Sequence, residues 1–266
     1  MSAIDIHPHV IAEDERRYPR APLGGQQSGW SRERPVSAGE MLRAMDEAGI
    51  ERSVLVQAST CYGHDNSYVA DAVAAHRDRF AGVFSVDMLA PNAPHEIHRW
   101  IERGLQGLRV FIAGHTTSHD ARLDDPRSFP AWRAAVEAGL PVCVQCRAQH
   151  LPQLEALLKE FPAARIVLDH MARPDAEKPE TLLALARYPN LCLKYTTHNV
   201  REGSAQFLQR VVAAFGAARI AWGSNYPASA GSLEELLAQA RAALATLPPA
   251  DQASILSATA RRLYPA

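Results

Sequence analysis

Short apolar runs alternate with amphipathic stretches along almost the whole chain, and this alternation restricts its fold more than any other feature. The runs are rich in Val, Ile and Leu without strict alternation, as in parallel strands that are covered on both faces. The predicted strands occupy residues 3–10, 53–58, 80–87, 105–113, 140–146, 164–170, 191–196 and 218–224. The predicted helices occupy residues 38–48, 67–76, 94–103, 129–138, 151–160, 179–187, 204–215 and 233–247. Eight strands alternating with eight helices predict an α/β fold, a single-domain (β/α)8 TIM barrel over residues 1–266.

A doubly wound open sheet is the alternative architecture for this pattern. It would favour a glycine-rich loop after the first strand, whereas here the first strand runs into HPHV and a long polar loop, residues 11–35. Side chains able to cap helices stand near four of the predicted starts: Ser37, Asn66, Ser128 and Ser232. These signals favour the barrel, in which chemistry is carried at the carboxyl ends of the strands.

Composition limits the partners of the chain. The formal net charge is −1, so no overall field recruits nucleic acid or an anionic membrane. No apolar run is long enough to span a bilayer and no signal-like segment is visible, which predicts a cytoplasmic protein. A small-molecule substrate is the expected partner, and self-association into a homo-oligomer stays open.

Four cysteines are present, two of them spaced as Cys143-x-x-Cys146. This pair lies inside the apolar run PVCVQC, where side chains three residues apart on a strand point to opposite faces. A redox or zinc CxxC would sit at a turn or helix start, so we interpret the four cysteines as small buried side chains.

The first strand ends in a pair of histidines. His7 and His9 are two residues apart and face the same side of a strand, so both can point into the barrel mouth. Two imidazoles there could bind a metal ion or polarise a carbonyl group. The second strand ends in Gln57, which we place among the substrate-binding candidates.

Further polar residues stand at the ends of later strands. Arg109, inside the fourth strand, is costly to bury unless it is paired, and its guanidinium suits a structural ion pair or a substrate carboxylate. On the sixth strand we assign His170 to the mouth and expect the adjacent Asp169 to face the opposite way. The remaining substrate-binding candidates are Gln145, Arg147, Arg173 and Tyr195. The eighth strand ends in GSNYP, with Asn225 at its centre.

Taken in strand order, these segments resemble the amidohydrolase superfamily. They are DIHPH (5–9), GLRV (107–110), VLDHMARP (167–174), LKYT (193–196) and GSNYP (223–227). The resemblance is strongest to the amidohydrolase 2, or amidohydrolase-related, branch, which includes lactonases acting on 2-pyrone-4,6-dicarboxylate and on sugar lactones. It covers nearly the whole chain and implies a (β/α)8 barrel.

The resemblance also implies two kinds of site. In metal-dependent branches His7, His9 and His170 would match zinc ligands, whereas the other ligand positions hold Arg109, Gln145 and Asn225. Zinc catalysis needs about three good protein ligands, usually with a carboxylate among them. The lactonase branch works without metal, and its fourth-strand arginine fits this chain better. The expectation is therefore metal independence, with zinc on the three histidines as the alternative.

The implied function is hydrolysis of a lactone that carries a carboxylate, by water attack on a carbonyl polarised by His7, His9 and His170. Position 225, Asp in the family, would carry the proton, but an Asn amide cannot take up and release a proton near neutral pH. Three explanations stay open: an introduced Asp→Asn change, a natural change in which a histidine is the base, and a catalytically silent ligand-binding barrel. Alternative activities are lactone isomerisation and zinc-dependent amide hydrolysis or decarboxylation.

Overall fold

Eight parallel strands form one sheet in the order in which they occur along the chain. The computed structural model describes residues 2–111, 122–200 and 204–265. The strands are β1 (Ala3–Asp5), β2 (Ile50–Val56), β3 (Phe80–Ser85), β4 (Gly107–Phe111), β5 (Pro141–Gln145), β6 (Arg165–Leu168), β7 (Leu191–Tyr195) and β8 (Ile220–Trp222). The backbone N–H of Ile6 donates to the carbonyl of Trp222 at 3.2 Å and brings the two edges of the sheet together. The sheet is therefore a nearly closed barrel, and the predicted (β/α)8 fold is confirmed.

Helices surround the barrel and follow the predicted alternation. They are α1 (Gly29–Glu33), α2 (Ala38–Ala48), α3 (Ser59–Tyr62), α4 (Ser67–Ala75), α5 (Ala93–Glu102), α6 (Phe129–Glu137), α7 (Leu151–Glu160), α8 (Glu180–Leu183), α9 (Ser204–Phe215), α10 (Leu233–Leu244), α11 (Pro249–Ala253) and α12 (Thr259–Leu263). The short helices α1, α3, α11 and α12 were not predicted, because segments of four or five residues are too short for a helical period to emerge. The last two positions of the predicted fourth strand, 112 and 113, lie outside the described residues.

Two of the four predicted caps form. Ser37 and Ser232 each close a capping box with a glutamate three residues later, at the starts of α2 and α10. Asn66 and Ser128 make no side-chain cap bond. The Asn66 amide instead bonds both backbone groups of Ser85, accepting from its N–H and donating to its carbonyl. Asn66 thus joins the loop after β2 to the end of β3, a tertiary use that the local sequence does not reveal.

The barrel itself has two apolar layers. The larger layer packs the outward faces of the strands against the helices, and the smaller one fills the barrel interior. Tyr264, beyond α12, joins the interior layer, and its hydroxyl lies 3.2 Å from the Cys143 Sγ. Cys143 points inward and Cys146 outward, and all four cysteines are buried and free, as their positions in the sequence predicted. No helix in the described ranges is long and apolar enough to cross a membrane.

Contacts between β1 and β8 set the position of the first histidine. The buried Asp5 carboxylate accepts from the backbone N–H groups of His7 at 3.0 Å and of Ser224 at 2.8 Å. Gly223 lies so close to His7 that an added Cβ would be 2.6 Å from the His7 Cβ. The glycine of the GSNYP segment is therefore required by packing against the first strand.

We expect Gly223→Ala to lower the free energy of unfolding by about 1–3 kcal/mol, because the new methyl group overpacks a buried contact. Gly39→Ala in α2 is the matched control, since a Cβ there meets nothing within 4 Å. That change should be neutral or stabilise the protein by up to about 1 kcal/mol. Urea unfolding of both variants checks this, and equal effects would contradict the close approach at His7.

Candidate active site

A cavity of about 230 Å³ opens at the carboxyl ends of the strands, where the barrel fold predicts chemistry. Its lining combines imidazole, guanidinium, amide, hydroxyl and aromatic groups. The described lining residues are His9, Trp30, Ala58, Ser59, Thr60, Arg109, Phe111, Gln145, His170, Arg173, His198, Asn225 and Ala228. The indole of Trp30, in α1, stacks on the His9 ring with centroids 5.1 Å apart. The loop after β1 thus covers one side of the cavity.

Beneath the cavity lies a buried ionic cluster centred on Asp169. The Lys194 Nζ is 2.7 Å from Oδ1 of Asp169, and the Arg109 Nε donates to its Oδ2 at 3.1 Å. A further N–H of Arg109 donates to the side-chain oxygen of Gln145. The side chains of Lys194 and Asp169 are fully buried and that of Arg109 is 7% exposed. Two cations share one carboxylate, which leaves an excess of positive charge at the floor of the cavity.

The cations decide the protonation state of the carboxyl group. Burial alone would raise the pKa of Asp169, but the Lys194 ammonium and the Arg109 guanidinium hold that pKa well below its usual range. Asp169 is therefore an ionised structural anion whose oxygens are occupied by Lys194 and Arg109.

Three histidines predicted at the strand ends come together in the structure. The ring centroid of His7 lies 5.1 Å from that of His9 and 4.8 Å from that of His170. Burial lowers the pKa of all three, to about 3 for His9. The next contribution comes from Lys194 at His7 and from Arg109 at His9. The three imidazoles are therefore neutral at physiological pH.

Hydrogen bonds orient two of these rings. His9 Nδ1 lies 2.7 Å from the carbonyl oxygen of Val56, and because a carbonyl can only accept, Nδ1 carries the proton. Neutral His9 consequently presents a lone pair at Nε2. His170 Nδ1 lies 2.7 Å from the Thr196 hydroxyl, which can either donate or accept.

The sequence-based expectation that Asp169 and His170 face opposite ways is wrong. Strand β6 ends at Leu168, and the four residues from His170 to Arg173 have φ between 49° and 58°. Strand alternation therefore stops before this pair, and both side chains point into the barrel, His170 lining the cavity and Asp169 lying beneath it. Consecutive non-glycine residues in the left-handed region are strained, typically by about 1–2 kcal/mol each. The surrounding packing holds this turn, which places His170 beside His7.

The other predicted site residues divide into two groups. Gln145 and Arg173 line the cavity, as expected for substrate-binding residues. Gln57 does not line it, because its amide nitrogen donates to the carbonyls of Gly63 and Asp65 and so braces the loop after β2. Arg147 is exposed and lies outside the described lining, and Tyr195 packs into the outer apolar layer.

Tyr195 does not reach the cavity because its side chain lies on the outer face of the barrel. On β7 it is the neighbouring Lys194 that points inward, in register with the interior residue Ala221. The sequence shows Lys194 within an apolar run but not its partner Asp169, because the two meet only when β6 lies beside β7.

Sequence reasoning also missed His198, which lies in the short turn Thr197–Asn199 after β7. Its ring meets that of His170 edge to face, with centroids 4.8 Å apart at 90°. The Asn225 Nδ2 lies 3.4 Å from His198 Nε2 and donates to the Ser229 hydroxyl at 3.0 Å. The signal available in the sequence was its position, two residues beyond the end of the predicted strand 191–196.

The donor set does not favour a divalent cation. Within the described ranges no group of three or more His, Cys, Asp or Glu side chains has an arrangement that could hold a metal ion. Of the two carboxylates near the histidines, Asp169 is already paired with Lys194 and Arg109, and Asp5 accepts from the backbone N–H groups of His7 and Ser224. A zinc ion would therefore meet neutral imidazoles above two fixed positive charges, without a free anionic ligand.

Known proteins are similar to this chain in sequence and in fold. The sequence signature of the family described as Amidohydrolase matches residues 4–266. An L-fucono-1,5-lactonase from Burkholderia ambifaria is 30% identical over 196 residues, which span 68% of this chain and 67% of the relative. A 2-pyrone-4,6-dicarboxylate hydrolase from Comamonas testosteroni is 29% identical over 181 residues. That match spans 66% of this chain and 53% of the relative, about half its length.

A solved structure supports the same fold. A protein from Pseudomonas putida, described as a 2-pyrone-4,6-dicarboxylic acid hydrolase, superposes with a TM-score of 0.81. The superposition covers 98% of this chain and 96% of the other at 23% identity. At that identity the likeness concerns the fold.

We expect acid to destabilise the protein through its neutral histidines. The pKa of His9 falls to about 3 in the folded protein, below the value of ~6.5 in the unfolded chain, so the unfolded chain binds more protons as the pH drops. Stability is complete above about pH 6.5 and is lost towards pH 3, by ~1.4 kcal/mol per pH unit for one such histidine. His9→Gln should remove that part of the slope in urea unfolding between pH 6 and 4. His98→Gln, on the exposed side of α5, is the surface control, and an unchanged slope in His9→Gln would contradict the assignment.

We expect Asp169→Asn to lower the free energy of unfolding by about 3–5 kcal/mol, because it leaves two buried cations without their anion. Glu51→Gln breaks the exposed pair with Arg261 and should cost no more than about 1 kcal/mol. Chemical denaturation at neutral pH compares the two, and a similar cost for both would contradict the importance of the buried cluster.

Proposed function

The chain belongs to the amidohydrolase family and is a hydrolase, and we propose that its substrate is a lactone, opened by water to the hydroxy acid. The observation that carries the proposal is the small cavity in which Arg109 and neutral histidines face the amide of Asn225. Such a site offers hydrogen bonds to a carbonyl oxygen and room for a water molecule beside it. The names of the two relatives, a fucono-lactonase and a pyrone dicarboxylate hydrolase, support the same reaction class.

The charge of the site favours an anionic substrate. Arg109 and Lys194 outnumber Asp169, and Arg173 adds a further guanidinium to the cavity wall. A substrate carboxylate would be attracted by this excess, and Arg109 is held rigidly by Asp169 and Gln145. We infer a small carboxylated lactone as the substrate class. Trp30 and Phe111 would provide apolar contact for its ring.

Polarisation of the carbonyl is divided among the polar groups of the cavity. The Arg109 guanidinium is a permanent donor for the oxyanion that develops when water attacks. If the Thr196 hydroxyl donates to Nδ1 rather than to Asn199 Oδ1, neutral His170 carries its proton on Nε2 and can donate as well. His9 differs, because its neutral form offers only a lone pair at Nε2 and so holds water rather than the oxyanion. His7 supports the neighbouring rings from below.

We propose that hydrolysis needs no metal. The support is electrostatic: Lys194 and Arg109 neutralise Asp169 beside the histidines and oppose a divalent ion. If zinc is bound nevertheless, His7, His9 and His170 are the residues that would hold it.

We also propose that the protein is cytoplasmic. Its four free cysteines agree with a reducing compartment.

The proton cannot be carried at position 225. The Asn225 carboxamide holds its place by donating to Ser229, and it can orient water but cannot act as a base. A catalytically silent barrel is the second candidate function, favoured by this one residue. Turnover decides between the two.

We expect the protein to hydrolyse carboxylated lactones after exhaustive dialysis against a chelator, with no less than half the activity of the untreated protein. Release of the hydroxy acid from a panel of lactones measures this, beside elemental analysis of the same samples. One tightly bound zinc per chain, lost together with activity, would contradict metal independence. Absence of turnover on the whole panel would favour the silent barrel.

We expect Arg109→Met to lower kcat/KM by about 10²–10³-fold, because a fixed donor to the oxyanion is lost. Arg52→Met is the matched control, since Arg52 is also buried but bonds the Tyr264 carbonyl within the chain, outside the cavity. Its kcat/KM should stay within about threefold of the parent protein. Equal losses in both variants would show that Arg109 acts through stability alone.

A further inference from the structure

We propose that His198 is the general base of the reaction, in place of the carboxylate expected at position 225. The proposal rests on the lactone hydrolysis proposed above and names the group that takes the proton from the attacking water. In this proposal His198 accepts the proton that a carboxylate at position 225 would otherwise accept, so the reaction does not require an Asp there.

The structure places His198 where such a base must be. It lines the same cavity as Arg109 and Asn225, and its ring packs edge to face on that of His170. The turn that carries it is anchored by Asn199, which accepts from the Thr196 N–H and donates to the His170 carbonyl, both at 3.0 Å. The imidazole is therefore positioned relative to the groups that would polarise the substrate carbonyl.

Asn225 orients this histidine. Its Nδ2 lies 3.4 Å from His198 Nε2, and because an amide nitrogen only donates, the contact requires a lone pair on Nε2. The same Nδ2 donates to Ser229 at 3.0 Å, and Asn225 has a φ of 59°, which Asn and Asp tolerate better than most residues. A contact of 3.4 Å is long, so a water molecule can displace it and meet the lone pair directly.

The other ionisable groups of the site are poorly suited to accept the proton. His7 is absent from the described lining of the cavity, the Trp30 indole stacks on the His9 ring, and His170 Nδ1 is engaged by the Thr196 hydroxyl. Both oxygens of Asp169 are engaged by Lys194 and Arg109. His198 lines the described cavity and has a ring nitrogen beside the Asn225 amide.

The step balances without any further reactant. The water oxygen forms a bond to the lactone carbonyl carbon as the water proton passes to His198 Nε2, and the carbonyl electrons move to the oxyanion. When the oxyanion collapses, the ring C–O bond breaks and His198 returns its proton to the leaving oxygen. The product is the open hydroxy acid, and His198 is neutral again.

His198→Gln is the first test, because glutamine keeps a polar side chain but cannot take up a proton. We expect kcat to fall at least about 100-fold with KM within about threefold of the parent. His64→Gln is the matched control: this partly buried histidine faces a separate cavity beside Asp87 and Glu96, and its kcat should stay within about threefold. Retention of more than a third of the parent kcat in a folded His198→Gln protein would overturn the proposal.

Asn225→Asp supplies the second test, in both backgrounds. In His198→Gln it should raise kcat at least about tenfold, because a carboxylate now stands beside the attacking water. In the parent it should lower kcat, because a carboxylate cannot donate to His198 Nε2 and so removes the contact that orients its lone pair. A gain of tenfold or more in the parent would show that position 225 accepts the proton. Failure of Asn225→Asp to restore kcat in His198→Gln would show that His198→Gln loses activity because the geometry of the site has changed. Either result overturns the role of His198.

The outcomes separate this proposal from the proposed function. If the parent and Asn225→Asp both fail on every lactone, the lactonase function itself is wrong. If the parent is inactive and Asn225→Asp is active, the lactonase chemistry stands and His198 is not the base. Circular dichroism and thermal unfolding of each variant confirm that the compared proteins are folded.

Discussion

The site depends on one buried carboxylate that holds two cations. Asp169 binds Lys194 from β7 and Arg109 from β4, so three strands are tied together inside the barrel, below the cavity. Burying these charges is costly unless each is paired, and the cluster meets that requirement while leaving an excess of positive charge. Its position directly under the histidines gives the cavity its electrostatic character and keeps Arg109 in one orientation.

The neutral state of the strand-end histidines follows from this cluster and from burial. Lys194 and Arg109 oppose protonation of His7 and His9, whose rings are removed from water. A set of neutral imidazoles above fixed cations suits an electron-rich carbonyl or a carboxylate better than a second cation. In the proposed mechanism the proton is therefore accepted by His198, at the edge of the cavity, rather than by the histidines at its floor.

The fold could be predicted from the sequence because apolar runs and amphipathic stretches are properties of local composition. Much of the candidate site could be predicted for the same reason: His7, His9, His170 and Asn225 follow strand ends, Arg109 lies within β4, and the barrel brings these positions together. One error came where the local period stops, because His170 lies in a left-handed turn just beyond β6. The other came within β7, where strand alternation gives the inward position to Lys194 rather than to Tyr195.

The sequence by itself thus determined the barrel, the edge at which its chemistry is placed and the unusual amide at position 225. Only the tertiary structure decided which charges are paired, which imidazole nitrogen carries a proton and which histidine stands beside that amide. The physical reason is the distance along the chain over which each interaction acts. Strand and helix patterns arise from neighbours along the chain, whereas ion pairing, burial and hydrogen bonding join residues such as Asp5 and Ser224 that are far apart until the barrel closes.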